Sequence, residues 1–329
     1  MQIKRKIVVI LGVHRSGTSL AANFSHALGV EFGQDLLPAD ARNAKGYWES
    51  RTIRKIQDQI LAKLNCQWHN PPLFFPSNWQ HRPDIEKLKS ELLELVRSES
   101  GKTEGLWGFK DPRTAILLPM WQEIFDELDL EPCYLLSVRN PASVAASLKK
   151  RDRIDVYQSQ ALWLKTNLEV FSRVGSKLKA ILDYDRWFDS GLDQGRRLAN
   201  CLALDPPPGE TLLGEAVARL IRPELRHHAS SQEQPCSPIV QRFYSVLRDA
   251  AIQGKIGEES GEILDRFKKS RALLEIWDAV VLERDSIINQ NNTAMKRLKK
   301  QKNLFLYATF TLAALLLGLS SFVFFSGKF

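Results

Sequence analysis

The sequence predicts an α/β protein with a central parallel sheet flanked by helices, then a C-terminal helical extension and one transmembrane helix. Three observations carry this. The apolar run 7–11 leads directly into Gly12-Val13-His14-Arg15-Ser16-Gly17-Thr18-Ser19, as a strand buried on both faces feeds a phosphate-binding loop. Stretches 106–113 and 133–141 repeat the change from apolar residues to a polar cluster at a proline turn. Residues 303–327 carry no charge and are rich in Leu, Phe, Ala and Val.

The first element fits G-x-x-x-x-G. Gly12 and Gly17 lack a Cβ, so backbone N–H groups can curl around an anion, and the helix that Thr18 begins points its positive end at the same place. Position 18 is Thr where an ATP- or GTP-hydrolysing loop carries Lys. Arg15 is the loop's only permanent cation, and its planar fork suits bidentate contact with phosphate or sulfate. The bland alternative for the loop alone is a Gly-containing strand-to-helix turn. Leu20, Phe24 and Leu28 then share one face of a helix over 18–28, which Gly29 stops.

A polar stretch, 34–45, leads to Gly46-Tyr47-Trp48-Glu49 and a helix over about 51–64. Two aromatic residues precede Glu49 and can desolvate it toward a general base; its other reading is an N-terminal cap or dipole partner. Residues 66–83, with their prolines and tryptophans, read as an irregular lid or acceptor-side loop. Helical periodicity returns over 84–97. Leu106-Trp107-Gly108-Phe109 then ends in Lys110-Asp111-Pro112-Arg113, at the carboxyl end of a second strand, where ligands of open α/β sheets collect. Plain ion pairing among these residues is the competing reading. In the third unit a strand over 133–138 ends at Arg139, with Asn140 as N-cap and Pro141 as first residue of a helix reaching Lys150. Ser143 and Ser147 share a helical face, so Arg139 and Ser147 can bracket a second anion.

With 329 residues, 44% hydrophobic and 26% charged, the chain can bury a full core and is not disordered. Much of its net charge of +8 lies in Lys296-Arg297-Leu298-Lys299-Lys300-Gln301-Lys302. That cluster lacks interleaved aromatic residues and suits anionic lipid headgroups better than nucleic acid. As a helix, residues 303–327 would run about 37 Å, enough for a hydrocarbon core of about 30 Å. Cations precede this span and only Lys328 follows, so the expectation is a single-pass C-terminal anchor in the lipid bilayer with a cytoplasmic main body. The N-terminus shows no secretory signal. Cys66, Cys133, Cys201 and Cys236 are far apart and read as reduced thiols, without a metal site.

Together these motifs resemble those of sulfotransferases that use 3'-phosphoadenosine 5'-phosphosulfate. The resemblance covers roughly residues 4–205. Arg15-Ser16-Gly17-Thr18-Ser19 is similar to the loop that holds the 5'-phosphosulfate, and Arg139 with Ser147 to the pair that holds the 3'-phosphate. Lys110-Asp111-Pro112 resembles an element whose Lys stabilises the transferring group. Gly46-Tyr47-Trp48-Glu49 resembles a segment that supplies a carboxylate base, for which His14 is the rival. Asp183-Tyr184-Asp185-Arg186-Trp187-Phe188 resembles the family's strand and following helix start. The resemblance implies a P-loop-like fold, this donor, no metal, donor binding by Arg15, Ser16, Gly17, Thr18, Ser19, Arg139 and Ser147, and catalysis by Arg15, Glu49 and Lys110. The implied reaction is sulfuryl transfer to a hydroxyl or amine of a glycan, lipid or small-molecule acceptor.

The expected domains are 1–205, sulfotransferase-like; 206–302, a mostly helical extension or stalk; and 303–327, the membrane span. Leu273, Trp277, Val280, Ile287 and Leu298 fall near a heptad repeat, which leaves a homodimer seam and packing back onto the core as alternatives. Two other functions stay open. A nucleoside or sugar kinase shares the strand, loop and helix but needs a loop Lys and a magnesium ligand. A catalytically inactive membrane-tethered scaffold would bind the nucleotide and transfer nothing.

Overall fold

A computed structural model describes residues 4–40, 46–72, 75–204, 207–222 and 236–254. Its centre is a four-stranded parallel sheet in the order β2-β1-β3-β4, formed by β1 (Arg5–Leu11), β2 (Trp107–Lys110), β3 (Leu130–Val138) and β4 (Leu178–Asp183). Ile10 lies opposite both Lys110 and Leu135, and Val138 opposite Asp183. The three apolar-to-polar transitions of the sequence therefore leave the sheet at one edge. This is an α/β architecture consistent with a P-loop-like fold.

Parallel strands need both faces covered, and alternation along β1 assigns its side chains to two cores. Ile7, Val9 and Leu11 join Tyr134, Leu136 and Val138 in the larger core. Helices α2 (Arg51–Lys63), α3 (Pro83–Lys102), α4 (Leu118–Glu127), α5 (Pro141–Asp152), α6 (Val156–Val174) and α10 (Pro238–Gln253) contribute to it. Val8, Ile10, Cys133 and Leu135 face the smaller core with α1 (Thr18–Ala27), the short α7 (Arg186–Asp189), α8 (Gly191–Leu202) and α9 (Glu210–Leu220). The two described helices beyond residue 206, α9 and α10, thus pack into the same cores as the sheet.

The structure adds elements that the sequence pattern did not predict. Helix α3 continues to Lys102, past the expected end at 97, because Val96 and Ser100 are buried against the sheet side. Helix α6 is long, yet Ser159, Gln160, Lys165, Thr166 and Asn167 are buried on it. A helix with so polar an inner surface shows no clean apolar stripe in sequence. The four cysteines are free thiols. Among the described residues no helix is long and apolar enough to cross a membrane; the span expected over 303–327 lies outside them.

Candidate active site

The loop after β1 is held from two sides. Gly12 has φ +142°, and a Cβ there would stand 2.4 Å from the Ser137 backbone oxygen. Gly17, at φ +94°, approaches the Tyr184 ring so closely that a Cβ would stand 2.5 Å from its Cδ2. Glycine is required at both positions by conformation and by space. Ser137 Oγ donates to the Ser16 carbonyl at 2.8 Å, and Ser16 Oγ to the Val13 carbonyl at 2.7 Å. Arg15 adopts a left-handed φ of +71°. The Ser16 N–H donates back to the Val13 carbonyl at 3.2 Å and closes the turn, and the N-terminus of α1 follows it with its positive end.

The two arginine motifs meet here. Arg15 Nε donates to Ser147 Oγ at 2.8 Å, and Arg139 Nη1 donates to the Arg15 carbonyl at 3.3 Å. Asn140 caps α5 by accepting from the Ala142 N–H at 2.9 Å, with Pro141 following it, so the backbone turn that aims Arg139 is fixed locally. The Arg139 carbonyl accepts from Trp163 Nε1 at 3.0 Å, and its guanidinium lies 4.2 Å from the Tyr184 ring centroid. Burial depresses the Arg15 pKa, and the neighbouring cations Arg151 and Arg139 depress it further. Burial also depresses that of Arg139. Concentrating cations in a partly desolvated place costs the fold free energy.

A second group lies beside Ser19. Lys110 Nζ donates to Glu49 Oε1 at 2.6 Å, to the Tyr47 carbonyl at 3.0 Å and to Ser19 Oγ at 3.3 Å, while Ser19 Oγ donates to the Tyr47 carbonyl at 3.2 Å. Lys110 is 3% exposed and Glu49 5%. Glu49 reaches this place because residues 35–37 clasp residues 49–51: Leu37 N–H donates to the Glu49 carbonyl and Arg51 N–H to the Asp35 carbonyl, each at 2.8 Å. Trp48, at φ +58°, packs its ring against His26 and Phe32. The cap of α2 is Ser50, which accepts from the Ile53 N–H at 3.2 Å, so Glu49 is not the capping residue.

Asp111 and Arg113 do what the ion-pairing alternative expects. Arg113 Nη1 lies 3.0 Å from Asp111 Oδ1, and its Nε lies 2.6 Å from Asp58 Oδ1. Burial opposes the charge on Arg113, but Asp111, Asp58 and Glu49 outweigh it and hold the guanidinium pKa above its ordinary value. Burial raises the Asp111 pKa.

All the singled-out residues of the loop, of β2 and of α5 thus gather at one edge of the sheet. Several participants, Trp163, Asp58, Arg151 and Trp68 among them, were not singled out in sequence. Arg151 stands one helical turn beyond Ser147, a spacing that would have revealed it. Trp68, whose ring centroid is 4.0 Å from that of His14, comes from an irregular segment with no local signal. Among the described residues no group of three or more His, Cys, Asp or Glu is placed to hold a metal ion.

Fold and site together define an α/β protein, consistent with a P-loop-like fold, with a cation-rich site at the carboxyl edge of its sheet. No protein-family model matches the chain, and no curated protein matches it. Among solved structures it is similar to the sulfotransferase domain of the Synechococcus PCC 7002 olefin synthase, with 16% sequence identity and a TM-score of 0.37 over 82% of this chain and 97% of that one. A likeness so distant adds nothing to the reading of the site, which rests on its own geometry.

Proposed function

We propose that this protein is a sulfotransferase that moves a sulfuryl group from 3'-phosphoadenosine 5'-phosphosulfate to a hydroxyl or amine. One observation carries the reading: the 2.8 Å hydrogen bond from Arg15 Nε to Ser147 Oγ, which joins two anion-binding motifs 132 residues apart into one site. A donor with phosphate groups at both ends of its ribose needs two such places at fixed separation. Thr18 where a kinase loop carries Lys favours the same reading.

The residues fit this donor. Gly17 carries no Cβ, which lets the loop lie directly against the Tyr184 ring, and Arg15, Ser16, Thr18 and Ser19 flank it in the same turn. Arg139 and Ser147 bracket the second anion. Lys110, fixed by Glu49 and Ser19, supplies positive charge where the bridging oxygen gains negative charge, and Arg15 does the same for the transferring group. On the sequence alone, the acceptor is a glycan, a lipid or a small molecule reached by a cytoplasmic body tethered to the bilayer through residues 303–327.

Calorimetric titration of the full-length chain with adenosine 3',5'-bisphosphate, beside ATP, tests the reading. The bisphosphate is expected to bind more tightly than ATP. Arg139→Ala is expected to weaken it by about 10- to 100-fold, the effect of losing a charge-assisted contact worth roughly 1.5–3 kcal/mol. Preference for ATP, or an unchanged Kd in the variant, refutes the assignment.

A further inference from the structure

His14 lies within the phosphate loop and is 9% exposed. Its Nε2 is buried and has no hydrogen-bond partner among the described residues. Native interiors rarely keep such an atom, because burying it unpaired forfeits its hydration for nothing. The Trp68 ring packs on the imidazole at 4.0 Å between centroids and 46° between planes, and the Arg151 guanidinium lies 5.7 Å from the Trp68 ring. The charged groups that act most strongly on His14 are cations: Arg113 from the turn after β2, Arg151 from α5, Lys110 at the end of β2 and Arg54 from α2. The carboxylates Asp111, Asp58, Glu49 and Asp152 are paired to these cations. Burial first, and these cations next, hold the imidazole neutral well below its ordinary pKa. In the Nδ1–H tautomer Nε2 then keeps a lone pair in the resting protein.

Glu49 is placed differently. Its Oε1 accepts from Lys110 at 2.6 Å, and its Oε2 lies 3.8 Å from Arg113 Nη1. Both carboxylate oxygens already face cations, which is the position of a counter-ion.

Building on the sulfotransferase reading, we propose that His14, screened by Trp68 until the acceptor displaces that ring, takes the acceptor's proton, while Glu49 fixes Lys110. In the step, the acceptor oxygen bonds to sulfur as its proton passes to His14 Nε2. The bond from sulfur to the 5'-phosphate oxygen breaks, and its electron pair leaves with adenosine 3',5'-bisphosphate. The imidazolium then returns its proton to solvent. An acceptor hydroxyl grows acidic as its oxygen bonds to sulfur, so a weakly basic imidazole suffices, and it is available even in mildly acidic solution. With Trp68 in place, water cannot reach Nε2, which protects the donor from hydrolysis.

The test needs no identified acceptor. Release of sulfate from 3'-phosphoadenosine 5'-phosphosulfate is measured with the full-length chain, with water as the only acceptor. Trp68→Ala is expected to hydrolyse the donor faster than the parent chain. The double variant Trp68→Ala/His14→Ala is expected to lose that activity by about 100-fold or more, and added imidazole to restore it. Adenosine 3',5'-bisphosphate binding is measured on every variant; if Trp68→Ala does not bind it, Trp68→Leu takes its place. Hydrolysis no faster than in the parent chain, a double variant as fast as Trp68→Ala, or a loss that imidazole does not restore overturns the role of His14. Failure of the parent chain to bind the bisphosphate overturns instead the sulfotransferase reading beneath it.

Discussion

Lys110→Met tests how the second half of the site is held. Methionine keeps the apolar stem and removes the ammonium, which makes contacts at 2.6, 3.0 and 3.3 Å from a side chain only 3% exposed. Glu49 is then a buried carboxylate whose nearest remaining cation is Arg113 Nη1 at 3.8 Å, itself engaged by Asp111 and Asp58. Removing one member of a buried ion pair costs about 3–5 kcal/mol, and the residual Arg113 contact places this variant near 3–4. Glu49→Gln is milder, about 2 kcal/mol, because Lys110 keeps its two neutral acceptors and the amide oxygen can also accept. The double variant buries neither charge, so it should cost only about 2–3 kcal/mol, which implies a coupling of roughly 2–4 kcal/mol. Urea unfolding followed by circular dichroism measures all four chains. At an m-value of about 3 kcal/mol/M, Lys110→Met should lower the midpoint by roughly 1 M. Strict additivity of the two single variants refutes the argument, since it would mean that neither charge depends on the other.

Other consequences follow from the same contacts. Gly12→Ala should destabilise the chain by more than about 3 kcal/mol and abolish bisphosphate binding, because its Cβ would collide with the Ser137 carbonyl at 2.4 Å at a φ of +142°. Gly105→Ala, where a Cβ meets nothing within 4 Å, should stay within about 0.5 kcal/mol by the same unfolding assay. Ser50→Ala removes the cap that accepts from the Ile53 N–H and should cost about 1 kcal/mol, with the neutral cap Ser50→Asn restoring most of it. His14 is held neutral, with a folded pKa well below 6.5, so the unfolded chain binds the extra proton as pH falls below that value. Its contribution to stability is therefore complete above about pH 6.5 and declines in more acidic solution, by up to about 1.4 kcal/mol per pH unit. Between pH 7 and pH 5 the parent chain should lose about 1–2 kcal/mol more than His14→Asn in urea titrations, and equal losses would show that the ring is not buried as described.

Much of the site could be read locally. The strand before the loop, the glycines at 12 and 17, and the Asn140-Pro141 cap depend on backbone geometry, which residue type dictates within a few positions. Helix α6 could not, because buried Ser159, Gln160, Thr166 and Asn167 on its inner surface erase the apolar period. Glu49 shows both levels. Its motif marked it as a carboxylate of interest, yet only the clasp between residues 35–37 and 49–51 brings it to Lys110 and leaves the cap of α2 to Ser50.

By itself, the sequence determined the strand-loop-helix unit, the α/β class and the two arginine motifs, since each is encoded in a short run whose conformation follows from sterics and local hydrogen bonding. Only the tertiary structure decided that Arg15 meets Ser147, that Lys110 pairs with Glu49, and that His14 keeps a buried nitrogen unpaired beneath Trp68. Those relations join residues from 54 to 132 positions apart, counted from His14 to Trp68 and from Arg15 to Ser147. They arise from the register of parallel strands and from packing across the sheet edge, and neither leaves a periodic trace along the chain.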